Sequence, residues 1–183
     1  TFLIYTPSRV PEGRTTVCPF HAVTYYFFPR GQLDRHVNRE LYRRWVEAGH
    51  LLLCEGDSID YAQIVDLILS QPFATLRIGY DPYKALEFTN LLLATPGVGK
   101  ANLEPIPQTN GSFNTGVDSF ELALSRDQVT FAPNPITAYC FANAVIDSDR
   151  LENRKPIKAT PNEKIDGAIT CLMGFWLFNH YKS

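Results

Sequence analysis

The sequence lacks the features that mark several common classes of protein. Its longest apolar stretch, residues 168–178, is interrupted by Thr170 and is too short to cross a bilayer. No charged segment followed by an apolar one stands at its start, so no secretory signal is expected. The 17 basic and 19 acidic residues give a net charge of −2, so no overall positive charge indicates a nucleic-acid partner.

Several catalytic signatures are also missing. There is no G-x-S-x-G nucleophile elbow and no H-E-x-x-H metalloprotease motif. Residues 97–100 (GVGK) resemble a Walker phosphate loop only superficially, because the first glycine and the Ser or Thr after the lysine are absent. The 4 cysteines are scattered among apolar neighbours without a C-x-x-C pair, which favours buried free thiols over a structural zinc site and fits a reducing cytoplasm.

What is present is the composition of a folded chain, with the length of one ordinary domain or of a tight pair of small ones. The 183 residues are 45% apolar and 20% charged, enough to bury a core. Short apolar runs alternate with segments of helical periodicity, which favours a mixed sheet with helices. Strands are predicted at residues 1–5, 21–28, 51–54, 74–80 and 103–106. Helices are predicted at residues 33–48, from 57 or 58 to about 68, 81–95, 113–124, 136–146 and 164–178, with a loop at 153–163.

Asp81 is the first candidate for chemistry. It follows the predicted strand 74–80, at the carboxyl edge where open α/β sheets bind ligands. A structural role is the alternative, because Asp is a favoured N-cap and Pro82 suits the first position of a helix. Both interpretations stay open on spacing alone.

Asp166 is the second candidate. It is predicted in or just after the first turn of helix 164–178, with Asn162 as the cap, where the helix dipole stabilises an acid without any function. The helix is apolar almost all round and is predicted to be buried, and a buried acid must be paired, protonated or bound to a cation. Two carboxylates from remote parts of a chain suit Mg²⁺, and two such ions can cleave a phosphodiester bond.

Two sets of basic residues are candidates for binding phosphate. Arg35, Arg39 and Arg43 recur at helical spacing and form either a phosphate-binding ridge or a solvated face paired with acids. The second set leads into Asp166 and forms either a DNA-backbone contact or an ordinary solvated loop. Its members are Arg150, Arg154, Lys155, Lys158 and Lys164.

A series of short motifs, weak alone but specific in order and spacing, extends from the second predicted strand to the last helix. They are Tyr42…Trp45…Gly49, Glu55-Gly56…Ile59-Asp60-Tyr61, Tyr80-Asp81-Pro82, Pro107-Gln108, Asn134-Pro135…Asn143 and Lys158…Lys164-Ile165-Asp166-Gly167. In this order they resemble the C-terminal nuclease domain of a tailed-bacteriophage terminase large subunit. The resemblance implies an α/β, ribonuclease-H-like fold with a mixed central β-sheet flanked by helices. It also implies a single nuclease domain over residues 1–183, without the N-terminal ATPase motor domain of that family.

The same resemblance implies a divalent-metal-dependent endonuclease that cuts concatemeric double-stranded DNA when packaging starts and ends. Asp81 and Asp166 match the family's metal-binding acids and would hold Mg²⁺ or Mn²⁺, as two ions. Lys158, Lys164 and Arg154 would contact DNA. Besides double-stranded DNA, the implied partners are the ATPase domain of the same native chain, the terminase small subunit and the portal. No membrane is involved, and the implied location is the packaging complex in the host cytoplasm.

One departure from the family concerns the first strand. The family has a further metal-binding aspartate there, and residues 1–5 contain none. Either that acid lies upstream of Thr1, with the strand truncated, or the site is altered. An altered site favours the alternative function, a catalytically silent module that binds DNA or the portal. Glu55 and Asp60 are nearby acids, and Asp60 is also explained as a first-turn helix residue.

Overall fold

The computed structural model describes residues 1–182 as short strands and helices in a mixed α/β arrangement. The strands are β1 (Phe2–Tyr5), β2 (Phe20–Val23), β3 (Tyr26–Pro29), β4 (Leu51–Cys54), β5 (Ile78–Tyr80), β6 (Leu103–Pro105), β7 (Val129–Phe131), β8 (Ala144–Ser148) and β9 (Arg154–Lys158). The helices are α1 (Arg30–Leu33), α2 (Arg39–Glu47), α3 (Tyr61–Leu69), α4 (Leu86–Leu93), α5 (Asn110–Ser125), α6 (Pro135–Ala142) and α7 (Asp166–Tyr181). Within these 182 residues, none of the helices is long and apolar enough to span a membrane.

The chain divides into two compact units. The first unit comprises residues 1–24 together with the chain from Gln108 onward, and the second comprises Tyr25–Pro107. The single strand predicted at 21–28 is therefore wrong, because β2 belongs to the first unit and β3 to the second. Aromatic and β-branched residues favour strands throughout this segment, but the two halves pair with different partners.

The first unit is built on a three-stranded sheet in the order β1-β2-β7, with β1 antiparallel and β7 parallel to the middle strand. No sequence pattern predicted β7. Helix α7 packs on α5, α6 and β1. The core includes Phe20, Phe120 and Phe175, and the Phe175 ring centroid lies 4.9 Å from that of Phe20 and 5.4 Å from that of Phe120. Burial of large aromatic side chains is the main stabilising term here.

A separate antiparallel hairpin, β8–β9, completes the first unit. It corrects two predictions, since the helix predicted at 136–146 ends at Ala142 and the loop predicted at 153–163 contains β9. Val145 pairs with Ile157, and Asp147 pairs with Lys155. In the sequence, the apolar residues 144–146 continue the helical periodicity of the segment before them. Their conformation is nevertheless determined by cross-strand pairing with residues 156–158.

The second unit contains two parallel strand pairs, β3 with β4 and β5 with β6. Helix α2 packs on β4, and α3 packs on α4. The helix predicted at 33–48 begins only at Arg39, as α2, because α1 ends at Leu33, and Val37, placed on the predicted apolar stripe, is 79% exposed. The segment between α1 and α2 contains a turn in which the Asn38 amide donates to Nδ1 of His36 at 3.1 Å.

Asp60, and not Asp57 or Ser58 as predicted, caps α3. Its Oδ1 accepts hydrogen bonds from the amides of Ala62 at 2.9 Å and Gln63 at 3.4 Å. The predicted caps stand too early because Asp60 still has an extended backbone, with φ −90° and ψ 103°. An N-cap bond of this kind accounts for an acid at this position, one residue before the first turn in which it was predicted.

Candidate functional site

Asp81 directly follows a parallel strand at the carboxyl edge of its pair. Strand β5 starts at Ile78, later than the predicted residue 74, and pairs with β6 so that Tyr80 stands opposite Pro105. The pairing continues at this edge, where the Ile106 amide donates to the Tyr80 carbonyl at 2.8 Å. The structure therefore places Asp81 where α/β sheets commonly bind ligands, as its position in the sequence predicted.

The structural explanation of Asp81 as a helix cap is wrong. Helix α4 begins at Leu86 with Ala85 in the cap position, so the helix predicted from residue 81 starts late. Lys84 has a left-handed backbone, φ 56°, which interrupts any helix before it. The Asp81 Oδ1 instead accepts a hydrogen bond from the Tyr83 amide at 2.9 Å. The carboxylate is exposed, and within residues 1–182 this is its one hydrogen bond.

Asp166 is the first residue of α7. The predicted cap, Asn162, is wrong, since Ile165 occupies the cap position and supplies no side-chain hydrogen bond. The prediction of a buried acid is also wrong, because Asp166 is exposed although Ile165, Gly167 and Ala168 beside it are buried. The helix buries its apolar body, while its first residue faces solvent. No hydrogen bond or ion pair from the described residues engages the Asp166 carboxylate.

The loop that leads into Asp166 is attached to α6. At its start, the Ala159 amide donates to the Asn143 carbonyl at 2.8 Å. Near its end, the Tyr139 hydroxyl donates to Oε2 of Glu163. Neither Tyr139 nor Glu163 was a candidate from the sequence, since nothing in the pattern connects two side chains that are 24 residues apart. Their only signal was the position of Tyr139 inside the motif Asn134-Pro135…Asn143.

Lys158 and Lys164 flank this loop. Lys158 is the last residue of β9 and stands opposite Ala144, while Lys164 precedes Asp166 by two positions. Both side chains are exposed, and neither forms an ion pair with any residue of the described chain. Both ammonium groups are therefore available for an anionic ligand.

Arg154, unlike the two lysines, is ion-paired. Its guanidinium binds the carboxylate of Asp118 and, at 2.9 Å, that of Glu121, both on α5. Its backbone amide donates to Oδ1 of Asn114 at 3.1 Å. The hydrogen bonds to Asp118 and Glu121 raise the pKa of the Arg154 guanidinium. Its contact with DNA stays a prediction, while its bonds to α5 support a role in holding the hairpin.

In the other predicted set of arginines, Arg39 and Arg43 form surface ion pairs. Arg43 binds Asp34 at 2.8 Å and Glu40 at 2.8 Å, and hydrogen bonding to Asp34 is the main cause that raises its pKa. Arg35 lies in the turn before α2, so the regular spacing does not continue on one helix. The solvated, paired face is the interpretation that these contacts favour.

The candidate residues are distributed over both units. Asp81 lies in the second unit, whereas Asp166, Lys158, Lys164 and Arg154 lie in the first. Among residues 1–182, no group of three or more His, Cys, Asp and Glu side chains is arranged to hold a metal ion. Each of the two carboxylates is exposed, and Mg²⁺ takes one or two carboxylates besides water and phosphate oxygens, so the chemistry of either aspartate is compatible with Mg²⁺ or Mn²⁺.

Comparison with known proteins gives a family match and two curated relatives. The chain matches the family model "Terminase large subunit, endonuclease domain" over residues 18–181. It is 25% identical over 174 residues to the terminase large subunit of Enterobacteria phage HK97, which covers 88% of this chain and 32% of that protein. It is also 25% identical over 142 residues to protein YmfN of Escherichia coli strain K12, which covers 73% of this chain and 30% of that protein.

A solved structure matches as well. The chain superposes on the crystal structure of the HK97 bacteriophage large terminase with a TM-score of 0.74 at 24% identity, covering 86% of this chain and 33% of that one. This likeness shows that the chain shares the fold of the matched part of that terminase, and it confirms the predicted mixed α/β class. The chain spans about a third of the length of the curated relatives it matches.

Proposed function

Because the chain belongs to the terminase large subunit, endonuclease domain family, we propose that it hydrolyses phosphodiester bonds of double-stranded DNA with divalent metal ions. The observation that carries the proposal is that the two candidate metal-binding carboxylates are exposed and form no ion pairs with the described residues. Asp81 and Asp166 are both exposed, at the end of a parallel strand and at the start of a buried helix. Neither carboxylate is used up by an ion pair within residues 1–182.

The roles of the residues follow from their chemistry. The carboxylates of Asp81 and Asp166 would hold Mg²⁺ or Mn²⁺, and such an ion supplies an activated water and stabilises the leaving oxygen. Lys158 and Lys164 would bind the phosphate backbone on either side of the loop 159–163, because both are unpaired and exposed. Arg154 would support this surface by holding β9 to α5.

The biological setting is part of the same proposal. The domain would cut concatemeric viral DNA at the start and end of packaging, within the packaging complex in the host cytoplasm. Its partners would be the ATPase domain of the native chain, the small subunit and the portal. The relatedness to the HK97 terminase large subunit, about three times as long as the matched segment, supports this setting.

A plasmid-cleavage assay with added Mn²⁺ tests the activity. We expect Asp81→Asn and Asp166→Asn to lower the cleavage rate by about 100-fold or more, because a metal contributes several kcal/mol to the transition state and each 1.36 kcal/mol is tenfold. Asp66→Asn and Asp147→Asn are matched controls, since both are exposed acids, one in each unit. If all four variants cut as well as the parent, the assignment is wrong.

Calorimetric titration with Mn²⁺ separates the proposal from a catalytically silent binding module. A nuclease should show heat that the Asp81 and Asp166 variants lose. A silent module should show no carboxylate-dependent heat but retain DNA affinity that falls with salt. That second pattern would overturn the proposed catalysis and leave a binding role.

A further inference from the structure

We propose that Tyr139 and Glu163 are positioning residues for Asp166, an inference that rests on the proposed function. The hydroxyl of Tyr139, on α6, donates a hydrogen bond to the carboxylate of Glu163, three residues before Asp166. Their bond ties the loop that delivers the candidate metal ligand to a fixed helix. Neither side chain is assigned any direct contact with metal or DNA.

Helix α7 cannot by itself fix the direction of the Asp166 carboxylate. Its cap position is occupied by Ile165, whose side chain accepts no hydrogen bond from the first turn. The first amides of a helix have no partner within the helix, so an uncapped first turn frays readily. Asp166 is the first residue of that turn and is exposed. Its position therefore depends on the packing of the buried neighbours Ile165, Gly167 and Ala168 and on the loop that precedes them.

The loop before Asp166 is tied to α6 at two points. Its first residue, Ala159, donates to the Asn143 carbonyl at 2.8 Å, immediately after α6. Its fifth residue, Glu163, accepts from Tyr139 in the last turns of the same helix. Between them, the Glu163 amide donates to the Thr160 carbonyl at 3.2 Å and closes a turn. Only Lys164 and Ile165 separate this closed turn from Asp166, and Ile165 is buried.

Helix α6 is suited to act as the support. Asn134 caps it by accepting from the Ile136 amide at 2.9 Å, and Pro135 occupies its first turn. Ile136, Thr137 and Cys140 are buried, and α6 packs against α7. A capped and packed helix moves little, so a side chain that is hydrogen-bonded to it is held in a defined position. A hydroxyl donating to a carboxylate is also a charge-assisted bond, stronger than a neutral one.

Metal affinity measured by Mn²⁺ calorimetry tests this role. We expect Tyr139→Phe and Glu163→Ala each to weaken Mn²⁺ binding measurably, by up to about 10-fold, the lower end of the effect of losing a direct partner of a metal ligand, because both residues act on Asp166 through the loop. Glu163→Gln should weaken binding less than Glu163→Ala does, because its amide oxygen still accepts from the tyrosine hydroxyl, although in a weaker, neutral bond. Glu12→Ala is the matched control, an exposed glutamate of the same unit without a hydrogen-bonded side chain among the described residues.

Hydrogen exchange of the metal-free protein gives a readout that does not depend on activity. The amides of residues 164–167 should exchange faster in Tyr139→Phe than in the parent, at a temperature well below its melting point.

If Asp166→Asn abolishes the metal heat while Tyr139→Phe and Glu163→Ala bind Mn²⁺ like the parent, the positioning role is wrong. A Glu163→Gln variant as weak as Glu163→Ala would also overturn it. If Asp166→Asn itself leaves the heat unchanged, the proposed function fails instead.

Discussion

His21 occupies the middle strand of the three-stranded sheet, where its Nδ1 lies 2.8 Å from the Thr130 hydroxyl oxygen. Partial burial and the nearby positive charge of Arg9 lower the pKa of His21 below its ordinary value of 6.5. The unfolded chain therefore binds the proton more readily than the folded one. We predict that stability is fully present above pH 6.5 and decreases as the pH falls from 6.5 through the folded pKa.

Urea unfolding at a series of pH values measures this effect. The midpoint of the parent should fall between pH 7 and pH 5 by more than that of His21→Gln, which removes the titration while keeping a polar side chain. Carboxylates also titrate at the lower end of this range, so the difference between the two proteins is the informative quantity. Parallel curves for the two would show that His21 is not responsible.

Lys164 is an unpaired cation beside the candidate metal ligand, and its charge should act on DNA phosphates. We predict that Lys164→Ala weakens the binding of duplex DNA in EDTA and reduces the slope of log affinity against log salt by about 1. Fluorescence anisotropy over a range of salt concentrations measures both quantities. Lys100→Ala, an exposed lysine in the second unit, is the control. An unchanged salt slope for Lys164→Ala would exclude this contact.

At the scale of elements, the packing of α5 against α7 depends on one glycine. A Cβ atom added at Gly116 would lie 2.6 Å from the Leu172 carbonyl oxygen and 3.3 Å from Cβ of Trp176. The first of these is a backbone atom of a buried helix, so it cannot move aside cheaply. We predict that Gly116→Ala lowers the free energy of unfolding by about 1–3 kcal/mol, the usual range for overpacking.

Gly111, in the same helix, provides the matched control. Nothing lies within 4 Å of a Cβ added there. Alanine favours a helix by about 1 kcal/mol over glycine, so Gly111→Ala should leave stability unchanged or raise it slightly. Urea denaturation of both variants measures the contrast. Equal stability of the two would show that the α5–α7 contact can relax by a small helix shift.

The β8–β9 hairpin is attached to α5 through Arg154. We predict that Arg154→Ala speeds hydrogen exchange of the hairpin amides while changing global stability by only about 1 kcal/mol or less, since ion pairs open to solvent contribute little. Hydrogen exchange with mass spectrometry separates the hairpin from the rest. If Arg154→Ala lowers DNA affinity without changing exchange, the sequence-based assignment of Arg154 to DNA is supported instead.

The same elements show what the sequence can and cannot predict. Strand β4 coincides with the prediction at 51–54, because a short apolar run bounded by polar residues is typical of a buried strand. The hairpin was missed because its conformation depends on pairing between Val145 and Ile157, which neither segment reveals alone. Helix α4 starts late because Lys84 adopts a left-handed backbone, which no propensity predicts for lysine.

For the candidate site too, some features were predictable from the sequence and others were not. Asp81 was predictable because a strand followed by an acid is a local pattern, and the structure places it at the end of β5. Asp166 was identified correctly as a first-turn residue, but its burial was wrongly predicted because periodicity describes a whole helix and not its exposed end. The Tyr139–Glu163 bond could not be predicted, since it depends on how α6 packs.

At the scale of the whole molecule, the second unit is inserted into the sequence of the first. The chain passes between the units after Thr24 and again after Pro107, and each unit has its own buried apolar residues. The largest fully buried side chains of the first unit include Phe113, Phe175 and Val117, whereas those of the second are Leu92, Ile106 and Cys54. Apolar burial is the main stabilising term, so the first unit should resist denaturant better.

The four cysteines allow this difference to be measured without adding a probe. All are free and buried, as their apolar surroundings predicted, with Cys54 in the second unit and the other three in the first. Burial raises the pKa of the Cys171 thiol to about 12, so it is unreactive while folded. We predict that none reacts with a thiol reagent in native buffer, and that Cys54 reacts at a lower urea concentration than Cys171. Variants that each retain one cysteine, with the others replaced by alanine, assign the signals. Simultaneous exposure of both thiols would mean that residues 1–183 unfold as one cooperative domain, the single domain that the sequence-based resemblance implied.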